Sequence, residues 1–229
     1  MSKKTHAIFV LDRSGSMKPC RQATIDGFNE QLNALASGDG KVFVSCVQFD
    51  NPQDIDTLYE RVKVADAPRL TEETFVPRGM TAMLDAVGKA IAIADADKKS
   101  DSLLIVVVSD GGENSSRIET YGTIAEKIKV RTDKGNWTFA YIGANQDLSD
   151  ISRRMNIPLG NTMAYAATAV GTRSAYTASA GSGVALVASA KLSSSNFFGN
   201  QSEPEAEEKD DINAKINRRA QAKAPVLSR

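Results

Sequence analysis

Histidine and cysteine are scarce: one His and two Cys among 229 residues. With His6 alone available, a serine triad would have to run through that residue, and no Gly-x-Ser-x-Gly elbow offers a nucleophile. The Cys/His spacings of zinc sites are missing, as are a phosphate-binding P-loop and a Gly-x-Gly-x-x-Gly turn after the first strand. Cys20 and Cys46 fall in different elements, and Cys46 lies inside an apolar strand pattern, so a free buried thiol is expected there. Long apolar runs are missing too. Leu103 to Val108, the longest, is far too short to span a membrane. No signal peptide is expected, because no basic n-region followed by an apolar h-region of the usual length opens the sequence. Lys plus Arg and Asp plus Glu both number 28, a formal net charge of zero. Such a balance gives no general attraction to nucleic acid or anionic lipid. These absences predict a soluble, cytoplasmic protein with no nucleic-acid partner and no membrane association.

What is present is a regular alternation of strand and helix patterns. His6 to Leu11, Lys41 to Phe49, Ser102 to Ser109 and Trp137 to Ile142 are apolar runs of strand length. Leu58 to Val64 alternates, as an antiparallel edge strand does, and Thr162 to Ala166 reads as a last strand. Helical spacing covers about Pro19 to Leu35, Ala82 to Asp95, Glu119 to Arg131 and Leu148 to Met155. Thr168 to Leu192 is rich in Ala, Ser and Gly and predicts a helix that Gly181 and Gly183 should loosen or kink. The order predicts a three-layer α/β/α sandwich, Rossmann-like, with a mostly parallel central sheet and one antiparallel edge. Trp137 and Phe139 alternate on their strand and are expected in the core.

In such sheets ligands sit beyond the carboxyl ends of the strands. Three polar segments fall there or at a facing helix start. Asp12-Arg13-Ser14-Gly15-Ser16 follows the first strand, Thr81 opens a helix, and Asp110-Gly111-Gly112 ends the central strand. Each alone reads equally as an N-cap or a turn. Together they would bring five oxygen-bearing side chains to one rim, the donor type a hard divalent cation takes. Gly15 is expected to permit the turn. Glu113, Asn114, Asn145 and Gln146 share the predicted rim, as loop residues or as groups that tune partner choice.

The Asp12 to Ser16 segment resembles the Asp-x-Ser-x-Ser motif of von Willebrand factor type A (VWA) domains, their metal-ion-dependent adhesion site (MIDAS). Gly79-Met80-Thr81-Ala82-Met83-Leu84-Asp85-Ala86 resembles that family's Gly-x-Thr-x-Leu-x-x-Ala segment, with Met83 placed before Leu84. Val108-Ser109-Asp110-Gly111-Gly112 resembles its strand-ending Asp-Gly. The resemblance spans about residues 5 to 192 and implies a VWA domain with a complete MIDAS. By it, Ser14, Ser16 and Thr81 would contact Mg²⁺ (or Mn²⁺ or Ca²⁺), with Asp12 and Asp110 bound directly or through water. It further implies a non-enzymatic adaptor that binds an acidic residue of a protein partner, for instance within a multi-protein or AAA+ machine.

Two other readings stay open. Asp12 could serve as the nucleophile of a metal-dependent phosphoester hydrolase, although such sites place a second carboxylate where Ser14 stands. The chain could also be a structural component of a larger, for instance viral, assembly. The domain is expected to occupy residues 1–192. From Ser193 to Arg229 follows a charged tail, with six acids between Glu203 and Asp211 and five bases after Ile212. That composition predicts disorder or, around Ile212, Ile216 and Ala220, a short amphipathic helix.

Overall fold

The computed structural model describes residues 3–38, 40–189 and 191–199. Along the chain run β1 (Lys4–Asp12), α1 (Arg21–Ala36), β2 (Lys41–Phe49), β3 (Ile55–Lys63), α2 (Met83–Ala96) and β4 (Ser102–Ser109). Then follow α3 (Tyr121–Thr132), β5 (Trp137–Ala144), α4 (Leu148–Met155), β6 (Thr162–Tyr165) and α5 (Ala169–Ala188). The strands form one sheet in the order β3-β2-β1-β4-β5-β6. All neighbours pair in parallel except β3, which runs antiparallel to β2 at the edge. This is the α/β sandwich that the alternation predicted.

Strand composition follows from position. Every residue of β4 is buried, and a strand covered on both faces needs apolar side chains on both. The edge strand β3 alternates between exposed and covered positions instead. It begins at Ile55, ahead of the expected Leu58, where Ile55 pairs with Phe49; farther along, its pairing with β2 slips beside Cys46 and Arg61 takes a positive φ of 48°. That irregularity interrupts the period-two pattern.

Two cores flank the sheet. Ala7, Phe9 and Leu11 of β1 pack with Phe28, Leu32 and Leu35 of α1 and with Tyr176 and Leu186 of α5. Ile8 and Val10 point the other way, among Val87 and Ile91 of α2, Ile124 and Ile128 of α3, and Ile151 and Met155 of α4. Full burial of one such aliphatic side chain stabilises by about 1.5–3 kcal/mol. Trp137 and Phe139 stack at 5.8 Å within the second core, as their alternation predicted. Both cysteines are buried free thiols. α5 runs unbroken through Gly181 and Gly183; packing along α1 outweighs their weak helix propensity.

Winding direction positions the functional end. The chain moves from β1 to β2 and β3, then crosses back to β4, β5 and β6. Right-handed crossovers in opposite directions place α1 on one face and α2, α3 and α4 on the other. Where winding reverses, between β1 and β4, the loops at the carboxyl ends part and leave a crevice. Asp12 ends β1 and Asp110 immediately follows β4, so both carboxylates lie at the point where the winding reverses.

Packing continues past Leu192. Phe197 and Phe198 bury in the first core, and the Phe197 N–H donates to Asn161 Oδ1 at 2.7 Å. The amphipathic helix expected around Ile212 lies outside the described residues. Among the described residues, no helix is long and apolar enough to cross a membrane.

Candidate functional site

At the end of β1, Asp12 Oδ1 accepts the Ser14 N–H at 2.7 Å, the local bond that makes Asp-x-Ser turn sharply. Its Oδ2 accepts the Ser109 hydroxyl at 2.6 Å, which ties β1 to the end of β4. Ser16 donates to Asp110 Oδ1 at 2.6 Å. Since that bond uses Ser16's only hydroxyl proton, Ser14 is the donor in the 3.0 Å contact between Ser14 Oγ and Ser16 Oγ. Thr81 arrives from the third segment. A Cβ placed on Gly111 would lie 3.7 Å from Ser16 Oγ and 3.8 Å from Thr81 Oγ1, so both hydroxyls flank the same point. Asp12, Ser14, Ser16, Thr81 and Asp110 are thereby brought together at one rim of the sheet.

The loop after β4 is stapled to the start of α2. Thr81 N–H donates to Asn114 Oδ1 at 2.9 Å, and Asn114 N–H returns a bond to the Thr81 carbonyl at 3.1 Å. Glu113 accepts the Leu84 N–H at 2.9 Å, one of the orphan donors of a helix start. In the reverse direction Asp85, buried in the first turn of α2, accepts the N–H groups of Arg117, Ile118 and Glu119 at 2.8, 3.0 and 2.7 Å. Gln146 Nε2 donates to the Gly111 carbonyl at 2.8 Å and is itself held by the Tyr141 hydroxyl. Glu113, Asn114 and Gln146 thus brace the site from behind. Asp85 went unremarked in the sequence, where a helical Asp in a first turn looks like an ordinary charge-dipole residue.

Glycine acts at a different place from the one expected. Gly15 has no positive φ, and a Cβ there would meet Gly79 O at an ordinary 3.5 Å. Gly79 carries the constraint. Its φ is +69°, and a Cβ would come within 2.8 Å of the Asn51 amide. Its carbonyl receives the Gly15 N–H at 3.3 Å, which joins the first two segments.

Burial raises the Asp12 carboxyl to about 6, against the lowering effect of its Ser109 and Ser14 bonds and with a further push from Asp110. Asp110 is likewise raised, chiefly by burial and against its Ser16 bond. Two desolvated carboxylates at one rim favour a cation nearby. Among the described residues no three of His, Cys, Asp and Glu converge, so an ion here would rely on hydroxyls beside the two carboxylates. The donor set fits a hard divalent ion. Neighbouring oxygens of an octahedral shell at 2.0–2.1 Å stand about 2.9 Å apart, close to the 3.0 Å between Ser14 Oγ and Ser16 Oγ.

A second polar constellation lies near the start of β1. His6 Nδ1 is 2.9 Å from Asp97 Oδ2, and its Nε2 is 2.8 Å from Ser45 Oγ. The order Ser-His-Asp is that of an acyl-transfer triad. Ser45 and His6 are buried at 0% and 1% exposure, which leaves no approach for a carbonyl, and Ser45 Oγ also accepts the Arg61 N–H at 2.9 Å. In this structure the group joins β1, β2, β3 and the end of α2, a structural role.

No protein-family model and no curated protein matches the sequence. Solved structures do resemble the fold. The pilus adhesin SpaC from Lactobacillus rhamnosus GG superposes with TM-score 0.60 at 16% identity, over 80% of this chain and 30% of that one. A von Willebrand factor type A protein from Catenulispora acidiphila gives 0.58 at 16% identity, over 80% and 43%. Proximal thread matrix protein 1 from the mussel byssus, solved with a zinc-occupied MIDAS motif, gives 0.56 at 16% identity, over 77% and 47%. The chain spans less than half the length of each of these three. Its fold is that of a VWA domain.

Proposed function

We propose that this chain is a metal-dependent protein-binding module whose rim takes an acidic side chain of a partner. Ser14, Ser16 and Thr81 would hold Mg²⁺, or Mn²⁺ or Ca²⁺, with Asp12 and Asp110 close behind. The observation that carries the reading is the convergence of three hydroxyls and two carboxylates from three distant segments on the edge where β1 and β4 end. Bound there, a divalent ion would supply an electrophilic position for an incoming carboxylate.

The chain's own groups favour binding over hydrolysis. Both Asp12 oxygens accept hydrogen bonds, from Ser14 N–H and Ser109 Oγ, and the residue is 1% exposed, a poor disposition for a nucleophile. Neutral hydroxyl donors leave a cation more of its attraction for an outside anion than carboxylate donors would. The mussel protein's zinc-occupied MIDAS motif, on a similar fold, supports the assignment. Two buried free thiols suit a reducing compartment such as the cytoplasm.

The test is capture of partners from extract of the source cells, in Mg²⁺ and in EDTA, on wild type, Thr81→Ala and Asp12→Ala. A partner held by wild type in Mg²⁺ and released by EDTA or by either substitution supports the reading. Retention that ignores both EDTA and Thr81→Ala overturns it.

A further inference from the structure

Asp50 lies just beyond β2, fully buried, and supplies none of the five oxygens at the rim. Its Oδ2 accepts Arg13 Nε–H at 3.0 Å and Arg78 Nε–H at 3.0 Å. Its Oδ1 accepts the Asn51 N–H, and its main-chain carbonyl accepts the Ala82 N–H at 2.8 Å. Arg13 sits between Asp12 and Ser14, and Ala82 directly follows Thr81. One carboxylate therefore grips the segment that bears Ser14 and Ser16 through Arg13 and the segment that bears Thr81 through Arg78, and the main-chain carbonyl of the same residue adds the Ala82 bond. The two segments also bond each other, Arg78 N–H to the Arg13 carbonyl at 2.7 Å. Arg13 extends the grip to Asp56 Oδ2 at 2.7 Å and the Asp54 carbonyl at 3.1 Å. The Asp110 segment is held separately, through Ser109 and Asn114.

Neutral hydroxyls are weak ligands, so their worth depends on standing in place before the ion arrives; loosely held segments would have to be ordered on binding. A buried ion pair adds little net stability, and in some proteins it serves instead to fix one geometry. We propose that Asp50 is a positioning residue for the cation: it sets the spacing between the Ser14/Ser16 segment and Thr81 without touching the ion. The inference rests on the metal-dependent reading above.

The experiment is Mn²⁺ titration of the full chain followed by EPR, with melting temperature measured alongside. It compares wild type, Asp50→Asn, Arg78→Gln, Thr81→Ala and the doubles that join each of the first two to Thr81→Ala. Groups behind a metal's ligands typically change affinity about 10–100-fold, and Asp50→Asn is expected at the lower end, with Arg78→Gln smaller in the same direction. Because placement loses value once the Thr81 hydroxyl is gone, Asp50→Asn should weaken binding several-fold less in the Thr81→Ala background. A merely structural role would lower the melting temperature in both backgrounds and leave the affinity effects additive. Should Asp50→Asn fail to fold, Arg78→Gln runs the same cycle, since its side chain is half exposed. Wild-type binding weakened by Thr81→Ala, with Asp50→Asn and Arg78→Gln at wild-type affinity or strictly additive, overturns the positioning role alone. A wild type that takes up no Mn²⁺ overturns the cation reading itself.

Discussion

Ser16 donates its hydroxyl proton to Asp110 Oδ1 across 2.6 Å, although 94 positions separate the two in sequence. That bond joins the turn after β1 to the turn after β4, and Ser14 extends it by donating to Ser16. It also orients both hydroxyl oxygens around the point that Thr81 reaches from the third segment.

The first prediction concerns this cluster. Isothermal titration with Mg²⁺ or Mn²⁺ should show one site per chain, and Asp12→Ala should abolish it. Bound metal should raise stability by about 2.7 kcal/mol at a hundredfold excess over the dissociation constant, if the unfolded chain does not bind. Undiminished binding by Asp12→Ala would remove Asp12 from the site.

Two glycines give a contrast. Gly79→Ala must adopt the left-handed region at φ +69° and push aside the Asn51 amide. The conformational strain alone is roughly 1–2 kcal/mol. Gly15→Ala meets only an ordinary contact, and its expected effect stays within about 0.5 kcal/mol. Urea midpoints of the two variants check the difference. Equal losses would show that the turn after β1 is constrained as strongly as the segment before Thr81.

This contrast illustrates what could be read from the sequence. Parallel strands buried on both faces leave unmistakable apolar runs, so β1, β2, β4 and β5 stood out, and with them the rim where Asp12 and Asp110 lie. The residues that hold the rim together did not stand out. Arg13, Asp50 and Asp85 act on partners 28 or more positions away, and such contacts leave no local period. Nor does composition distinguish Gly79 from Gly15, since the need for a positive φ arises only once the segments dock. Glu113, Asn114 and Gln146 were legible as rim residues, but their bonds turn them toward the site's backbone.

Truncation separates the docked end of the domain from the charged stretch beyond it. A chain that stops after Leu192 loses Phe197 and Phe198 from the first core, together with the Phe197 bond to Asn161. Two aromatic side chains returned to water represent about 3 kcal/mol or more. Removal of Glu203 to Arg229 should leave the melting temperature nearly unchanged, because the stretch has few large apolar residues to bury. Calorimetry of both truncations is the check. A large fall on deletion of 203–229 alone would show that Ile212 and Ile216 dock on the domain.

The last prediction is a loss of stability in mild acid, driven by His6 and Asp97. Burial holds the His6 imidazole below its usual 6.5; Asp97 pulls the other way and loses, while Arg61 adds to the lowering. Asp97 is itself held well below the carboxylate range: burial opposes ionisation, but bonds from Ser100, Lys99 N–H and Arg61, with the nearby His6, outweigh it. Both folded values are depressed, so the unfolded chain binds the protons first and stability falls as pH drops. The His6 contribution is complete above about pH 7 and declines below about 6.5; the Asp97 contribution follows below about 4. Geometry explains the preference for neutral His6. With Nδ1–H donated to Asp97, Nε2 accepts the Ser45 hydroxyl, which in turn accepts the Arg61 N–H. A proton on Nε2 would compel Ser45 to give up its donor role there. Asp12 and Asp110, both raised by burial, pull the other way across this window. The His6 effect is therefore read as a difference: between about pH 6.5 and 5 the wild type should lose melting temperature relative to a variant without the imidazole. His6→Asn, less stable overall, is that variant. Parallel slopes in the two proteins would assign the acid sensitivity to other groups.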